Sequence, residues 1–217
     1  MSLRSSETFT ADSMGLGAID SGTSILLVGD DSDALQSVFY QLVAAQEDER
    51  SVVLATNDSG RMVQRALDKV TRGSGSRSSV LAGAGVSGTN VETIDDLGDL
   101  TKLGMNFSML LSESQQKTPR FRSGIYLCTS ICEEATDVRS VYRLLNSNFL
   151  SDIRRGEGIG VCALDTNSDI GTSVDSVVAG MKTSFNACIE VEKTGRREAT
   201  LTISGFAEAD ETVTVSV

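Results

Sequence analysis

Histidine and tryptophan are both absent from this chain of 217 residues, and proline occurs once, at Pro119. Without histidine there is no Ser-His-Asp triad, no Cys-His dyad and no imidazole-ligated metal. Lysine is scarce, with five residues (Lys69, Lys102, Lys117, Lys182 and Lys193) against fourteen arginines. The 19 bases face 30 acids, for a net charge of -11. Non-specific nucleic-acid binding needs clustered cations to displace counterions, so this balance argues against direct nucleic-acid contact. No apolar run approaches the ~18 residues of a membrane span. The opening stretch "MSLRSSETFTADS" lacks the apolar segment of a secretory leader, and the expected location is cytoplasmic. Four cysteines remain. Cys128, Cys162 and Cys188 sit in apolar, strand-like runs and read as small core residues. The Cys128–Cys132 spacing, with no second pair, is poor for zinc, and no metal or cofactor is expected.

What is present is acidic and rich in Asp, Ser, Thr and Val. With so little lysine, this composition resembles that of cytosolic proteins from halophilic archaea; an ordinary acidic protein of a mesophile is the alternative. At 1 M salt the Debye length is only ~3 Å, so such a surface repels itself little.

The length suits one α/β domain with a real core. Residues 1–20 are polar and read as a loose arm, 21–206 as the domain, and 207–217 as an acidic tail or edge strand. Ser24–Val28 reads as a strand buried on both faces. A helix follows, with Ser32 or Asp33 as its cap and Leu35, Val38, Phe39, Leu42 and Val43 facing the core. Ser51–Thr56 is the second strand, Asn57–Gly60 a turn, and Met62–Val70 a helix facing inward through Met62, Ala66, Leu67 and Val70. Residues 71–90 are glycine-rich and read as a flexible surface loop around one strand, Ser79–Ala82. The Gly83/Gly85 pair lacks the spacing of a dinucleotide fingerprint. Further expectations are a short strand at Asn90–Ile94, a helix over Asp95–Glu113, a strand at Ser123–Cys128 and a long helix over Glu133–Arg155. A strand at Gly158–Leu164 and a weak helix at Ile170–Met181 come next. Ser184–Glu192 and Glu198–Ser204 alternate apolar and polar residues about Thr194-Gly195, which predicts a hairpin. The pattern predicts an α/β fold: a mostly parallel sheet, helices on both faces, and a C-terminal antiparallel hairpin.

Four regions together resemble the RecA/KaiC superfamily, and more narrowly the small KaiC-like, RadA-like proteins of haloarchaea. "SILLVGDDSDALQSVFYQL" stands where that family has its phosphate loop and first helix. "VVLATNDSGRMVQRAL" is similar to its second strand, and "DLGDLTKLGMNFSMLL" with "SGIYLCTSI" to the helix and Walker B strand. "VRSVYRLLNSNFLSDIRRGEGIGVCALDTNSD" with "GMKTSFNACIEVEK…REATLTISGF" is similar to the closing elements. The resemblance covers about residues 22–206 and implies a RecA-like sheet.

The departures from that family carry the functional expectation. A phosphate loop reads G-x-x-x-x-G-K-[ST]. From Gly29 the chain reads Asp30, Asp31, Ser32, Asp33, Ala34, Leu35, Gln36, so the second glycine, the lysine and the magnesium-binding hydroxyl are all replaced. Two unit charges ~4 Å apart repel by about 4 kcal/mol at an effective dielectric of 20, so three aspartates without a lysine disfavour a triphosphate. The catalytic glutamate position falls at Asn57, beside Asp58, and an amide cannot act as a general base. The Walker B carboxylate would fall near Cys128–Thr129. Asp165, at a strand end, is the candidate for a retained polar contact. Glu133-Glu134 are expected to favour a helix N-terminus, Arg154-Arg155 a helix C-terminus, and Arg196-Arg197 an exposed turn. The expectation is therefore a degenerate phosphate loop in a pseudo-ATPase that binds no nucleotide. It would act through a protein partner, an active paralogue or itself. A divergent ATPase or nucleotide-sensing switch is the alternative, and a recombination accessory factor a third.

Overall fold

The structure, a computed structural model, describes residues 8–11, 14–206 and 211–217. Two antiparallel strands, β1 (Thr8–Ala11) and β2 (Leu16–Asp20), form a small sheet of their own. The main sheet contains nine strands: β3 (Ser24–Gly29), β4 (Arg50–Ser59), β5 (Ser78–Ala84), β6 (Val91–Thr93), β7 (Phe121–Tyr126), β8 (Ile159–Asp165), β9 (Ala187–Lys193), β10 (Glu198–Ser204) and β11 (Glu211–Ser216). Their order is β11-β10-β9-β3-β8-β7-β4-β5-β6, parallel from β9 to β6 and antiparallel at β9-β10-β11. The predicted mixed sheet and C-terminal hairpin are present, and β11 adds an edge strand. Residues 207–210 of the predicted tail lie outside the described residues.

The helices are α1 (Ser32–Val43), α2 (Gly60–Val70), α3 (Leu100–Lys117), α4 (Cys128–Glu134), α5 (Val138–Leu144), α6 (Leu150–Gly156) and α7 (Val174–Lys182). Strand side chains alternate between two cores, as a sheet buried on both faces requires. On β3, Ile25 and Leu27 face α1, α2 and the β1–β2 hairpin; Leu26 and Val28 face the layer of α3 to α7. Gly124 of β7 lets α1 lie close, because a Cβ there would meet the Phe39 ring at 2.5 Å.

Several expectations are corrected. The arm reading fails over 8–11 and 14–20, since Phe9, Met14, Leu16 and Ile19 are buried in the first core; residues 1–7 and 12–13 lie outside the described residues. The turn expected at Asn57–Gly60 is the end of β4 running directly into α2, which buries Val63 and leaves Met62 exposed. The supposed flexible loop at 71–90 is pinned: Ser74 is buried and accepts the Ala45 N–H at 2.8 Å, and Asp68 accepts that of Gly75 at 2.8 Å. β5 extends to Ala84, and Gly83 is a close approach, because a Cβ there would fall 1.9 Å from the Thr56 carbonyl oxygen. The helix expected from Asp95 starts at Leu100, behind the Asp99 cap. The single helix over 133–155 is broken at Ala135, capped anew by Asp137, and widened into a π turn at Leu145–Phe149. Glu133-Glu134 consequently sit in the last turn of α4, not at an N-terminus.

At the N-terminal edge of the sheet, Arg122 and Glu49 are 1% and 2% exposed and pair through two contacts, Nε–Oε2 at 2.5 Å and Nη2–Oε1 at 3.3 Å. Arg122 also donates to the carbonyls of Leu42 at 3.1 Å and Thr10 at 2.9 Å. Arg120 reaches Glu49 and the Thr8 carbonyl, and both guanidiniums lie over the Phe9 ring, at 4.6 and 5.5 Å. Removing one member of such a pair strands a buried charge, whereas an apolar replacement of both does not. Glu49→Ala is therefore expected to cost about 3–5 kcal/mol in urea unfolding. The double variant Glu49→Leu/Arg122→Met should lose less; equal loss in both would refute the pairing argument.

Candidate functional site

β3 and β8 end together, with Gly29 beside Asp165 in register, while β4, whose Ala55 lies beside Tyr126 at the end of β7, runs on to Ser59. Only Asp30 and Asp31 separate β3 from α1, because the helix already begins at Ser32. Positions that would form a phosphate cradle are helical. The cap is Asp31 rather than Ser32 or Asp33: its carboxylate accepts the Ala34 N–H at 2.9 Å, and its carbonyl that of Leu35 at 2.9 Å. A helix N-terminus ordinarily offers its free N–H groups to an anion; here the anion belongs to the chain.

Lys193, from the end of β9, donates to Asp31 Oδ2 at 2.8 Å. That hydrogen bond, with the Ala34 N–H, holds the Asp31 carboxyl below its ordinary range, and Asp31 in turn raises Lys193. Asp165 accepts the Ser32 hydroxyl at 3.1 Å and the Asn167 N–H at 2.9 Å, and Asn167 donates its amide to the Asp30 carbonyl at 2.6 Å. Gln36 donates to Asp58 Oδ2 at 3.2 Å, spanning the gap between α1 and β4. Asp33 is exposed on the first turn of α1, while Ala34 and Leu35 are buried in the first core.

Asp58 is half-buried. Burial pushes its carboxyl up, opposed by the Tyr40 hydroxyl and the Gln36 amide. The buried Tyr40 hydroxyl lies beside this carboxylate without meeting hydrogen-bond geometry. Burial, then the charge of Asp58, pushes the Tyr40 and Tyr126 phenols up. Tyr126 donates to the Ser32 carbonyl at 3.4 Å. Asn57 points elsewhere, donating to Ser130 Oγ at 3.2 Å.

The expected Walker B position is reshaped too. β7 stops at Tyr126, Leu127 turns with φ 60° and ψ 63°, and Cys128 and Thr129 are buried at the start of α4. A left-handed non-glycine residue costs of order 1–3 kcal/mol. Cys128 is thus a helix residue, not the strand end expected. All four cysteines are free and buried; contact with Cys128, then burial, raises the Cys132 thiol. Among the described residues no cluster of three carboxylate or thiol groups is arranged to hold a metal, and no helix is long and apolar enough to cross a membrane. Arg155 pairs with Asp152 at the end of α6, where Arg154 is exposed; Arg196 and Arg197 are exposed near the β9–β10 turn.

Thus Gly29, Ser32, Gln36, Asp58 and Asp165 are brought together, whereas Asn57 is turned away. Lys193, Tyr40 and Tyr126 were not legible as site residues. Among the described residues two concavities lie elsewhere: about 520 Å³ between β2 and the end of β10, and an open groove of about 590 Å³ between α3 and α5.

The model of a family of unknown function, DUF7504, matches residues 22–191. The chain belongs to this family. No curated protein matches it. Among solved structures it is similar to the KaiC-like protein PH0186 of Pyrococcus horikoshii OT3, with TM-score 0.68 and 12% identity over 98% of this chain and 99% of that one. It is also similar to an ATPase of the type III secretion system of pathogenic bacteria (TM-score 0.60, 12% identity, 87% of this chain, 57% of that one). A third is the uncharacterized protein PH0321 of P. horikoshii in complex with an unknown peptide (TM-score 0.60, 12% identity, 87% and 85%). This DUF7504 member therefore has a RecA/KaiC-like fold.

The raised Asp58 pKa gives a signed prediction. The folded state binds this proton more tightly than the unfolded state. Its stabilising share is complete below the ordinary carboxyl pKa of 3.8 and is lost as pH rises through the folded value. Asp58→Asn should raise the melting temperature at neutral pH, and the gain should vanish in acid. A loss at neutral pH would contradict burial as the dominant effect.

Proposed function

We propose that this DUF7504 member is a non-catalytic, RecA/KaiC-like pseudo-ATPase that works as a regulatory or scaffolding protein through protein contacts. The observation that supports it is the self-filled N-terminus of α1. Asp31 occupies the anion position, Lys193 neutralises it, and Gln36 and Ser32 are engaged by Asp58 and Asp165. A nucleotide phosphate would have to break these contacts and approach Asp30, Asp31 and Asp33 without a free lysine. The partner on this reading is an active RecA/KaiC-like paralogue or a second copy of the chain, met in the cytoplasm of a halophilic archaeon. The net charge of -11 disfavours direct nucleic-acid contact.

One observation favours a second reading, a divergent nucleotide-sensing switch. Asp58 keeps an ionisable group half-buried at an energetic cost, at the edge of the sheet where open α/β folds bind ligands. Calorimetric titration with ATP and Mg²⁺ in high KCl separates the two. No heat and no shift in melting temperature are expected; micromolar binding would overturn the pseudo-ATPase reading.

A further inference from the structure

The two edges of the nine-stranded sheet are finished differently. β6 is three residues long, and the outward groups of its first residue are closed by its own turn: the N–H and C=O of Val91 bond back to Gly88 at 3.1 and 3.0 Å. β11 has six residues and no such cover among the described residues. Its ladder to β10 uses the odd positions, because Val217 donates to the Arg197 carbonyl at 3.1 Å in the register that pairs Val215 with Ala199. Thr212, Thr214 and Ser216 therefore turn their N–H and C=O groups outward. Among the described residues only the Ser216 carbonyl is met, by the Gln41 amide at 3.1 Å. Natural edge strands are guarded by proline, lysine, a bulge or short length. β11, reading "ETVTVS", has no proline, lysine or bulge, and its one charged side chain, Glu211, stands at its first position.

We propose that β11 is a self-pairing edge, and that two copies of this chain join antiparallel through it into one continuous sheet. A two-fold axis normal to the sheet keeps each face on its own side, so paired residues must have the same parity. Pairing outward groups with outward groups puts Thr214 opposite its twin and Thr212 opposite Ser216. Thr214 then exchanges both hydrogen bonds with Thr214 of the other copy, and Val213 lies across from Val215. No like-charged side chains meet. Glu211 of one copy falls opposite Val217 of the other, two strands from that copy's Arg197 on the same face. Two strand spacings are about 10 Å, within reach of these long side chains, and both are exposed. The inference builds on the reading of this chain as a contact protein and names a second copy as one partner. The nucleotide titration and the test below can fail independently.

Sedimentation of the whole chain at matched high salt should show a dimer at high micromolar concentration. Thr214→Pro removes only an outward N–H and leaves the β10 ladder intact, so it should give a folded monomer. Thr214→Lys, which sets two charges face to face at the axis, should do the same and serves if the proline variant fails to fold. Directly opposed residues in a hydrogen-bonded pair have Cα atoms about 5.5 Å apart, which a disulfide can span. Thr214→Cys should therefore cross-link under mild oxidation, the native thiols being buried, and Thr212→Cys should not. A monomeric wild type, the result expected if β11 instead receives an extended segment of another protein, would overturn the proposal. So would a dimer that survives both Thr214 substitutions.

Discussion

Arg122 and Glu49 lie in a site with almost no access to water, and four pieces of chain meet there. The guanidinium is carried by β7; it donates to the Leu42 carbonyl in the last turn of α1, the carbonyl of Thr10 in β1, and the carboxylate just before β4. Glu49 also accepts the Gln46 N–H and Arg120. Burying both ions costs several kcal/mol each, and the cost is offset only when every donor and lone pair is engaged. That demand ties the hairpin, the first helix and the middle of the sheet into one arrangement. The Phe9 ring beneath the two guanidiniums excludes water from it.

The opposite end of the same strands is built on other terms. There the contacts are single hydrogen bonds between partly exposed groups. Leu127 is held in a left-handed conformation, and Asp58 is kept where its charge is poorly solvated. In proteins of this class the carboxyl ends of the strands are where ligands bind. The RecA/KaiC-like fold is shared with solved structures at 12% identity. A fold fixes where a site can be; the side chains there decide whether chemistry follows.

The carboxyl ends of the strands and the sheet edge connect through the C-terminal hairpin. β9 brings Lys193 to Asp31, and β9 to β11 extend the sheet away from β3. The strands that close the site also present the open edge.

How much of this was legible in the sequence follows the range of the interactions. β3, β8 and the β9–β10 hairpin announce themselves by local hydrophobic pattern, and that Ala34, Leu35 and Gln36 do not fit a phosphate-loop pattern is visible by counting from Gly29. Elements that depend on distant partners were not. The β1–β2 hairpin looks like a polar arm because its anchor, Arg122, is 112 positions from Thr10. The break at Ala135 and the π turn interrupt an unbroken helical pattern, and periodicity alone carries no sign of either. The sequence by itself determined the fold class and that no G-x-x-x-x-G-K-[ST] pattern follows Gly29, because both are written in nearest-neighbour pattern. Only the tertiary structure decided that Asp31 caps α1 and that Lys193, 162 positions away, neutralises it. A charge finds its partner through folding, not through proximity in the chain.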